Sequence, residues 1–130
     1  MTVDTGAPRL ANATERRIHQ LLVEQLGDDG VVIAGKRVTD HLKDHEIDFL
    51  VAIEGAGIVC VEVKGGDVWH DGQSWRQIRR GKEYAIEPVR QAREACYALR
   101  SFVEHDPRWT QGRLRWDHVI VLPNTELSEG

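Results

Sequence analysis

Three charged residues lie in two segments whose other residues are almost all apolar. Residues 58–64 read IVCVEVK, which predicts a buried β-strand that carries Glu62 and Lys64. Side chains alternate across a strand, so these two project from the same face. A second predicted strand, residues 46–53, carries Asp48, and aspartate is uncommon in strands. The three side chains therefore indicate a chemical role.

The turn between the two strands decides whether the two acids can meet. If its loop were only Gly55 and Ala56, Asp48 would lie opposite Val63 and on the other face of the sheet from Glu62. An odd-numbered loop or a bulge instead places Asp48 directly across from Glu62, with Cβ atoms about 5 Å apart. The glycines of the EGAG turn permit the positive φ that such loops use. We therefore predict the odd register.

Two carboxylates that face each other across a strand pair repel unless a cation compensates them. Hard oxygen ligands at this separation are typical of sites for Mg²⁺ or Mn²⁺. Lys64 would lie about 7 Å along the strand from Glu62, where it can orient or deprotonate an attacking water. The arrangement predicts phosphodiester hydrolysis. In the alternative interpretation, Glu62 and Lys64 form a structural ion pair on a solvated face and Asp48 is only their neighbour.

Two helices are predicted to support these strands. The first begins after Asn12 as N-cap and ends at Gly27, and Glu15 lies at the margin of its apolar stripe. Glu15 can equally serve only to close a capping box with Asn12. The second helix opens at Pro88, and Gln91 lies beside its apolar stripe.

The remaining strand predictions concern residues 31–34 and 117–122. The second of these follows a helical crossover and should therefore pair in parallel. A polar loop is predicted over residues 39–45, and we interpret His41 and His45 as solvated loop histidines rather than as a zinc pair.

Residues 67–86 are predicted to form short strands joined by turns at 71–72 and 80–81. We refer to this segment as the annex. Basic side chains alternate here with Trp69, Trp75 and Tyr84, a pattern suited to gripping phosphates and stacking on bases. The alternative is a solvated hairpin whose tryptophans rest on the core. The predicted nucleic-acid-binding residues are Arg76, Arg79, Arg80 and Lys82.

Composition and charge bound the protein class. The 130 residues, 41% hydrophobic and 29% charged, suffice for one domain with its own core. The net charge of -4 argues against a purely electrostatic polyanion binder, although residues 72–115 hold ten Arg or Lys against five acids. Two cysteines without paired spacing predict free thiols. Since no signal peptide or apolar segment of membrane length occurs, we expect a cytoplasmic protein without a membrane partner.

Asp48 is followed along the chain by Glu62, Val63 and Lys64. In this order of residues the sequence resembles the PD-(D/E)xK nuclease superfamily. It resembles the nuclease-related domain (NERD) more specifically, through the additional residues Glu15, Gly65, Pro88 and Gln91 and the segments EID and VEVKG. The resemblance covers residues 12–122, which we expect to be the domain. Residues 1–11 would then be a flexible leader and residues 123–130 a C-terminal tail, in the manner of a linker to a further module.

The resemblance implies an α/β fold with a restriction-endonuclease-like core, a mixed central β-sheet flanked by helices in the order α-β-β-β-α-β. It implies Mg²⁺-dependent (or Mn²⁺-dependent) cleavage of DNA with Asp48 and Glu62 as metal ligands and Lys64 as the catalytic lysine. The Val63 backbone carbonyl, and Glu15, would join the metal ligands, with Glu15 and Gln91 as supporting site residues. Such domains are often joined to helicase, kinase or zinc-binding modules.

One position departs from the related helicase-associated nucleases. In those enzymes a tyrosine follows the helix glutamine by four positions, whereas this chain has Ala95 there and a tyrosine at Tyr97. The role of that tyrosine is therefore not carried over to this chain.

The leading interpretation is a Mg²⁺-dependent deoxyribonuclease domain for DNA processing. The alternative is a nucleic-acid-binding module with little or no cleavage of its own, which positions DNA for an attached enzyme such as a helicase. A purely structural domain would leave three ionisable residues on core strands unexplained. The choice among single strands, duplexes and RNA, and between endo and exo action, stays open at this point.

Overall fold

The computed structural model describes residues 2–3, 13–39, 43–109 and 114–125. Two helices and eight strands occur there, together with a 3-10 turn at Gly27–Asp29. In chain order the elements are β1 Thr2–Val3, α1 Ala13–Leu26, β2 Gly30–Thr39, β3 Asp44–Ile53, β4 Gly57–Val63, β5 Asp67–His70, β6 Trp75–Arg79, β7 Lys82–Ile86, α2 Pro88–Glu104 and β8 Trp116–Val121.

The main sheet is mixed and has the strand order β1-β2-β3-β4-β8. Its neighbouring strands are antiparallel except for β4 and β8, which pair in parallel as the helical crossover predicts. Apart from β1 and the annex, the chain runs α-β-β-β-α-β. The predicted α/β class with a restriction-endonuclease-like core is therefore confirmed.

Each helix covers its own apolar cluster of the main sheet. Ile18, Leu22 and Leu26 of α1 pack with Phe49 and Val61. The α2 cluster contains the buried residues Val38, Ile47, Cys60, Ala95, Cys96, Ala98 and Leu99. Burying such side chains contributes about 1.5–3 kcal/mol for each large one, so this contact fixes the sheet between the helices. Both cysteines are buried and free.

Strands β2 and β3 are longer than the sequence pattern predicts, which corrects the predicted loop over residues 39–45. Thr39 pairs with Asp44 at the end of an antiparallel ladder that keeps one register on both sides of the unpaired Gly35 and Asp48. His45 consequently lies inside β3 and is only 7% exposed, so it is not a solvated loop histidine. His41 lies outside the described residues. Gly35 has a φ of +65°, which interrupts the regular strand geometry. The strand continues beyond it, but its side chains exchange the faces to which they point.

The hairpin between β3 and β4 has the odd register that the chemistry required. Ile53 pairs with Gly57, which leaves a three-residue loop, and the ladder runs on to the pair Phe49 and Val61. The ladder ends there, one residue before Asp48 on β3 and Glu62 on β4. The register prediction is therefore confirmed.

The annex forms a separate three-stranded antiparallel sheet, β5-β6-β7, with turns where the sequence predicts them. Hydrogen bonds among the described residues attach it to the segment after β4 and to the segment after β8. The Gln77 amide donates to the carbonyl of Gly65 at 3.2 Å, and the Thr125 hydroxyl donates to the carbonyl of Val68 at 2.8 Å. The predicted C-terminal tail thus begins with a contact to β5.

Thr2–Val3, within the predicted leader, pairs with the end of β2, and the rest of that leader lies outside the described residues. Among the described helices, none is both long enough and apolar enough to cross a membrane.

Candidate active site

Asp48 occupies the point where β3 and β4 diverge. Its Oδ2 atom accepts a hydrogen bond of 2.7 Å from the backbone N–H of Val63. Burial first, and then the charge of Glu62, raise the pKa of the Asp48 carboxyl to a net value of about 7, while the Val63 hydrogen bond acts in the opposite direction. Asp48 is therefore an acid held in a site that penalises its negative charge.

Glu62 and Lys64 form an ion pair on the neighbouring strand. Lys64 Nζ lies 3.1 Å from Glu62 Oε1, and the two side chains are 21% and 13% exposed respectively. Burial raises the pKa of Glu62 above its usual range, and the Lys64 ammonium opposes that rise only in part. Glu46 and Glu15 also raise the Glu62 pKa through their charges. Lys64 therefore offsets only part of the negative charge around Glu62.

Two cavities flank the end of β4, because successive side chains of the strand point to opposite faces. The first, of about 360 Å³, is lined by Glu62, Lys64 and Gln91. Its other lining residues are Lys43, Asp44, His45, Glu46 and Ala95. The second, of about 270 Å³, is lined by Thr14, Glu15, Val63, Gly65, Gly66 and Gln77. Gln91 and Glu15 therefore lie on opposite sides of the strand end, one in each cavity.

A family model described as the nuclease-related domain, NERD, matches residues 10–123. The chain belongs to the NERD family. Searches of curated proteins and of solved structures found no match. The family assignment confirms the resemblance seen in the sequence.

The NERD domain brings most of the predicted site residues into one region. Asp48, Glu62 and Lys64 interact directly or through their charges, and Glu15 raises the pKa of both acids. Gln91 shares the first cavity with Glu62 and Lys64, although its own side chain is exposed. Ala95 lines the same cavity, while Tyr97 is 73% exposed. The cavity position that this comparison assigns to a tyrosine is therefore occupied by Ala95.

Two residues of the first cavity were missed by sequence reasoning. Glu46 is exposed yet acts on Glu62, and His45 is buried one position before it. Glu46 could have been found from its spacing, because it lies two positions before Asp48 at the start of an apolar strand. His45 gave no signal, because its neighbours 39–44 are polar and read as a loop.

The four predicted phosphate-binding residues of the annex do not share one surface. Arg76 pairs with Glu83 at 3.0 Å, whereas the Arg79 guanidinium lies over the Tyr84 ring, 4.5 Å from its centroid. Arg79 and Lys82 are partners in the ladder and therefore share a face. Arg80 occupies the turn with a positive φ of 50°.

The donor set of the NERD site fits a hard divalent cation. Asp48 and Glu62 are desolvated carboxyls in adjacent strands, and an ion would relieve the repulsion between them. Within the described ranges, no three His, Cys, Asp or Glu side chains lie close enough to enclose an ion. Mg²⁺ commonly uses one or two carboxylates and keeps several waters.

Proposed function

We propose that this NERD domain is a metal-dependent nuclease that hydrolyses phosphodiester bonds of DNA. The observation that supports the proposal is the odd register of the β3–β4 hairpin, which brings Asp48 and Glu62 to the same end of the strand pair, with Lys64 directly after β4. Both acids have raised pKa values because burial disfavours their charge. Acids in such a state support a site built to hold a cation beside a polyanionic substrate.

Each residue has a proposed task. Asp48, Glu62 and the Val63 carbonyl would hold Mg²⁺ or Mn²⁺, and the Val63 N–H fixes the orientation of the Asp48 carboxylate. The bound ion supplies positive charge that stabilises the charge developing on the phosphate. Glu15, which lines the second cavity and whose charge raises the pKa of Asp48, would add negative charge that attracts the ion.

Lys64 would orient the attacking water, and its Nζ would accept the proton of that water only after the ammonium has released its own proton to solvent. Its position 3.1 Å from Glu62 keeps the ammonium beside the acids that would bind the ion. Gln91 contributes amide donors and an acceptor to the same cavity, which we assign to positioning the substrate. Basic residues of the annex, Arg79 and Lys82 first among them, would grip phosphates of the DNA. A linked helicase or similar module is a further proposed partner.

One observation favours a second candidate, a nucleic-acid-binding module without cleavage of its own. The Lys64–Glu62 ion pair already compensates one acid without any ion. In that case the site would be a structural remnant, and the domain would position DNA for an attached enzyme.

The test compares wild type and Lys64→Ala on labelled single-stranded and duplex DNA with Mg²⁺, Mn²⁺ or EDTA. If Lys64 acts in the chemical step, its removal lowers the cleavage rate about a hundredfold or more while DNA affinity changes little. Arg100→Ala is the matched control, because Arg100 pairs only locally with Glu104 on α2. Wild type that binds DNA but shows no metal-dependent cleavage supports the second candidate. Equal cleavage by Lys64→Ala signals a contaminating nuclease and refutes the assignment.

A further inference from the structure

The annex sheet has two chemically different faces. Residues paired in its ladders share a face, so Val68, Gln77 and Tyr84 form one row and Arg79 with Lys82 form the next. We call the face that carries these five residues the inner face, because Val68 and Gln77 are buried on it. The row ends at Tyr84, which is 39% exposed on the edge strand β7.

The opposite face carries the other charged pair of the annex. Arg76 and Glu83 lie there 3.0 Å apart, near the exposed side chain of Ile78. A cation already paired with a carboxylate loses that partner when it binds a phosphate, so it gains little from the exchange. On the inner face, by contrast, neither Arg79 nor Lys82 forms an ion pair with any described residue.

The inner face adjoins the second cavity. Gln77 lines the second cavity together with Glu15, Val63 and Gly66, and its amide donates to the carbonyl of Gly65. Gly65 directly follows Lys64 in the chain. One buried side chain therefore joins the catalytic strand to the sheet that carries Arg79, Lys82 and Tyr84. A nucleic-acid strand bound in the second cavity would have the inner face of the annex beside it.

The Arg79–Tyr84 contact provides a flat surface at the end of this path. The guanidinium lies 4.5 Å from the ring centroid, which is the geometry of a stacked cation–π pair. A guanidinium plane supported in this way can accept a nucleobase on its free side. Lys82, directly across the ladder from Arg79, is placed to meet the phosphate of the same nucleotide.

We infer that the inner face binds a single-stranded segment of the nucleic acid, with an unpaired base on the Arg79–Tyr84 pair. The inference rests on the proposed function and names the substrate class for that site. Bases inside a duplex are stacked on each other and present only their edges, so a flat stacking surface has no partner in intact duplex. An unpaired base exposes its π-face, and stacking of this kind tolerates any sequence.

The test measures binding in EDTA, so that cleavage plays no part. Fluorescence anisotropy follows a labelled short oligothymidylate and, separately, a labelled duplex of equal length, each over a range of salt concentrations. Arg79→Lys keeps the charge and removes the plane, so it should weaken oligothymidylate binding about tenfold and leave duplex binding nearly unchanged. Tyr84→Ala should do the same, whereas Tyr84→Phe should retain binding because the ring remains. Arg100→Lys, on α2 outside the annex, is the matched control and should change neither.

The outcomes separate this inference from the proposed function. Equal losses on single strand and duplex would show a simple phosphate grip and overturn the single-strand assignment. No change with Arg79→Lys and Tyr84→Ala, in variants whose melting curves match wild type, would overturn the inner face as a binding surface. If binding follows the expected pattern but wild type never cleaves with Mg²⁺, the inference stands and the nuclease proposal fails.

Discussion

At the scale of single residues, Asp48 is the side chain whose surroundings conflict most with its charge. Its pKa is raised to about 7, chiefly by burial, from an ordinary value of 3.8. The folded protein therefore holds a proton on Asp48 over a pH range in which the unfolded chain has already released it. By linkage, the stability contributed by neutral Asp48 is fully present below about pH 4 and is lost as pH rises through 7.

Asp48→Asn should remove this pH dependence, because an amide stays neutral and its oxygen can still accept the Val63 N–H. We expect the free energy of unfolding of Asp48→Asn to exceed that of wild type at pH 8, by about 1–2 kcal/mol after allowance for partial exposure. Near pH 4 the difference should vanish. Urea titrations of both proteins in EDTA measure it. A difference that stays constant from pH 4 to pH 8 contradicts the buried-acid account of Asp48.

The sequence predicted this group of residues because strand alternation and one parity argument fix their positions. Glu62 lies two positions after the buried Cys60, so its face follows from a period of two. The alternation of β3 changes at Asp48, between Ile47 of the α2 cluster and Phe49 of the α1 cluster, so that period alone does not place Asp48. Glu46 escaped because an exposed acid at a strand end looks like ordinary surface. The charge of Glu46 raises the pKa of Glu62 through space, and a sequence pattern does not show such an interaction.

At the scale of elements, the hairpin loop controls the site by fixing the register of β4. Gly57 opens that strand with φ +136°, and a Cβ atom there would come within 2.3 Å of the Arg115 carbonyl oxygen. Gly55 lies in the loop with φ +77° and has nothing within 4 Å of a Cβ position. Both positions are strained for other residues, but only Gly57 is also crowded by backbone.

Gly57→Ala should therefore destabilise the fold much more than Gly55→Ala. We expect a loss of about 1 kcal/mol for Gly55→Ala from backbone strain alone. For Gly57→Ala we expect more than about 2 kcal/mol, since the backbone of β4 or of residue 115 must shift. Urea or thermal unfolding compares the two variants with wild type. Equal losses would show that the contact with Arg115 is relieved at no cost.

The lengths of β2 and β3 were harder to predict than their existence. Ala34 belongs to the α1 cluster and Val38 to the α2 cluster, although both occupy even positions of one strand. The change occurs across Gly35, so a search for strict alternation ends there and reads the rest as loop. Cross-strand pairing to β3 resumes in the same register beyond Gly35, and single-strand periodicity cannot detect such pairing.

At the scale of the whole molecule, two layers of helix fix the main sheet, while the annex depends on a few specific contacts. Its amide link from Gln77 to Gly65 is 3.2 Å long and largely buried. Gln77→Leu should remove that link and leave the Gly65 carbonyl without this donor, at a cost of about 1–3 kcal/mol in stability. It should also weaken oligothymidylate binding, because the annex is less firmly placed beside the site. Gln73→Leu, an exposed position in the β5–β6 turn, is the control and should change neither quantity.

A divalent ion should stabilise the whole fold if the desolvated acids form its site. Binding to the folded state alone adds RT ln(1 + [L]/Kd), about 1.4 kcal/mol at a tenfold excess of free Mn²⁺ over its Kd. For a domain of this size, that corresponds to a rise in Tm of about 3–6 °C. Since Asp48 must lose its proton to bind the ion, the rise should be larger at pH 8 than at pH 6.

The matched variants locate that effect. Asp48→Asn should abolish most of the rise in Tm, whereas Glu54→Gln should preserve it, because Glu54 is an exposed acid in the loop at the other end of β3. Both substitutions remove one negative charge, so nonspecific attraction of Mn²⁺ would respond equally to each. A rise lost only in Asp48→Asn assigns the ion to the strand pair. Melting curves that do not move across millimolar Mn²⁺ at pH 8 would argue against a metal site, and with it against the nuclease chemistry proposed for Lys64.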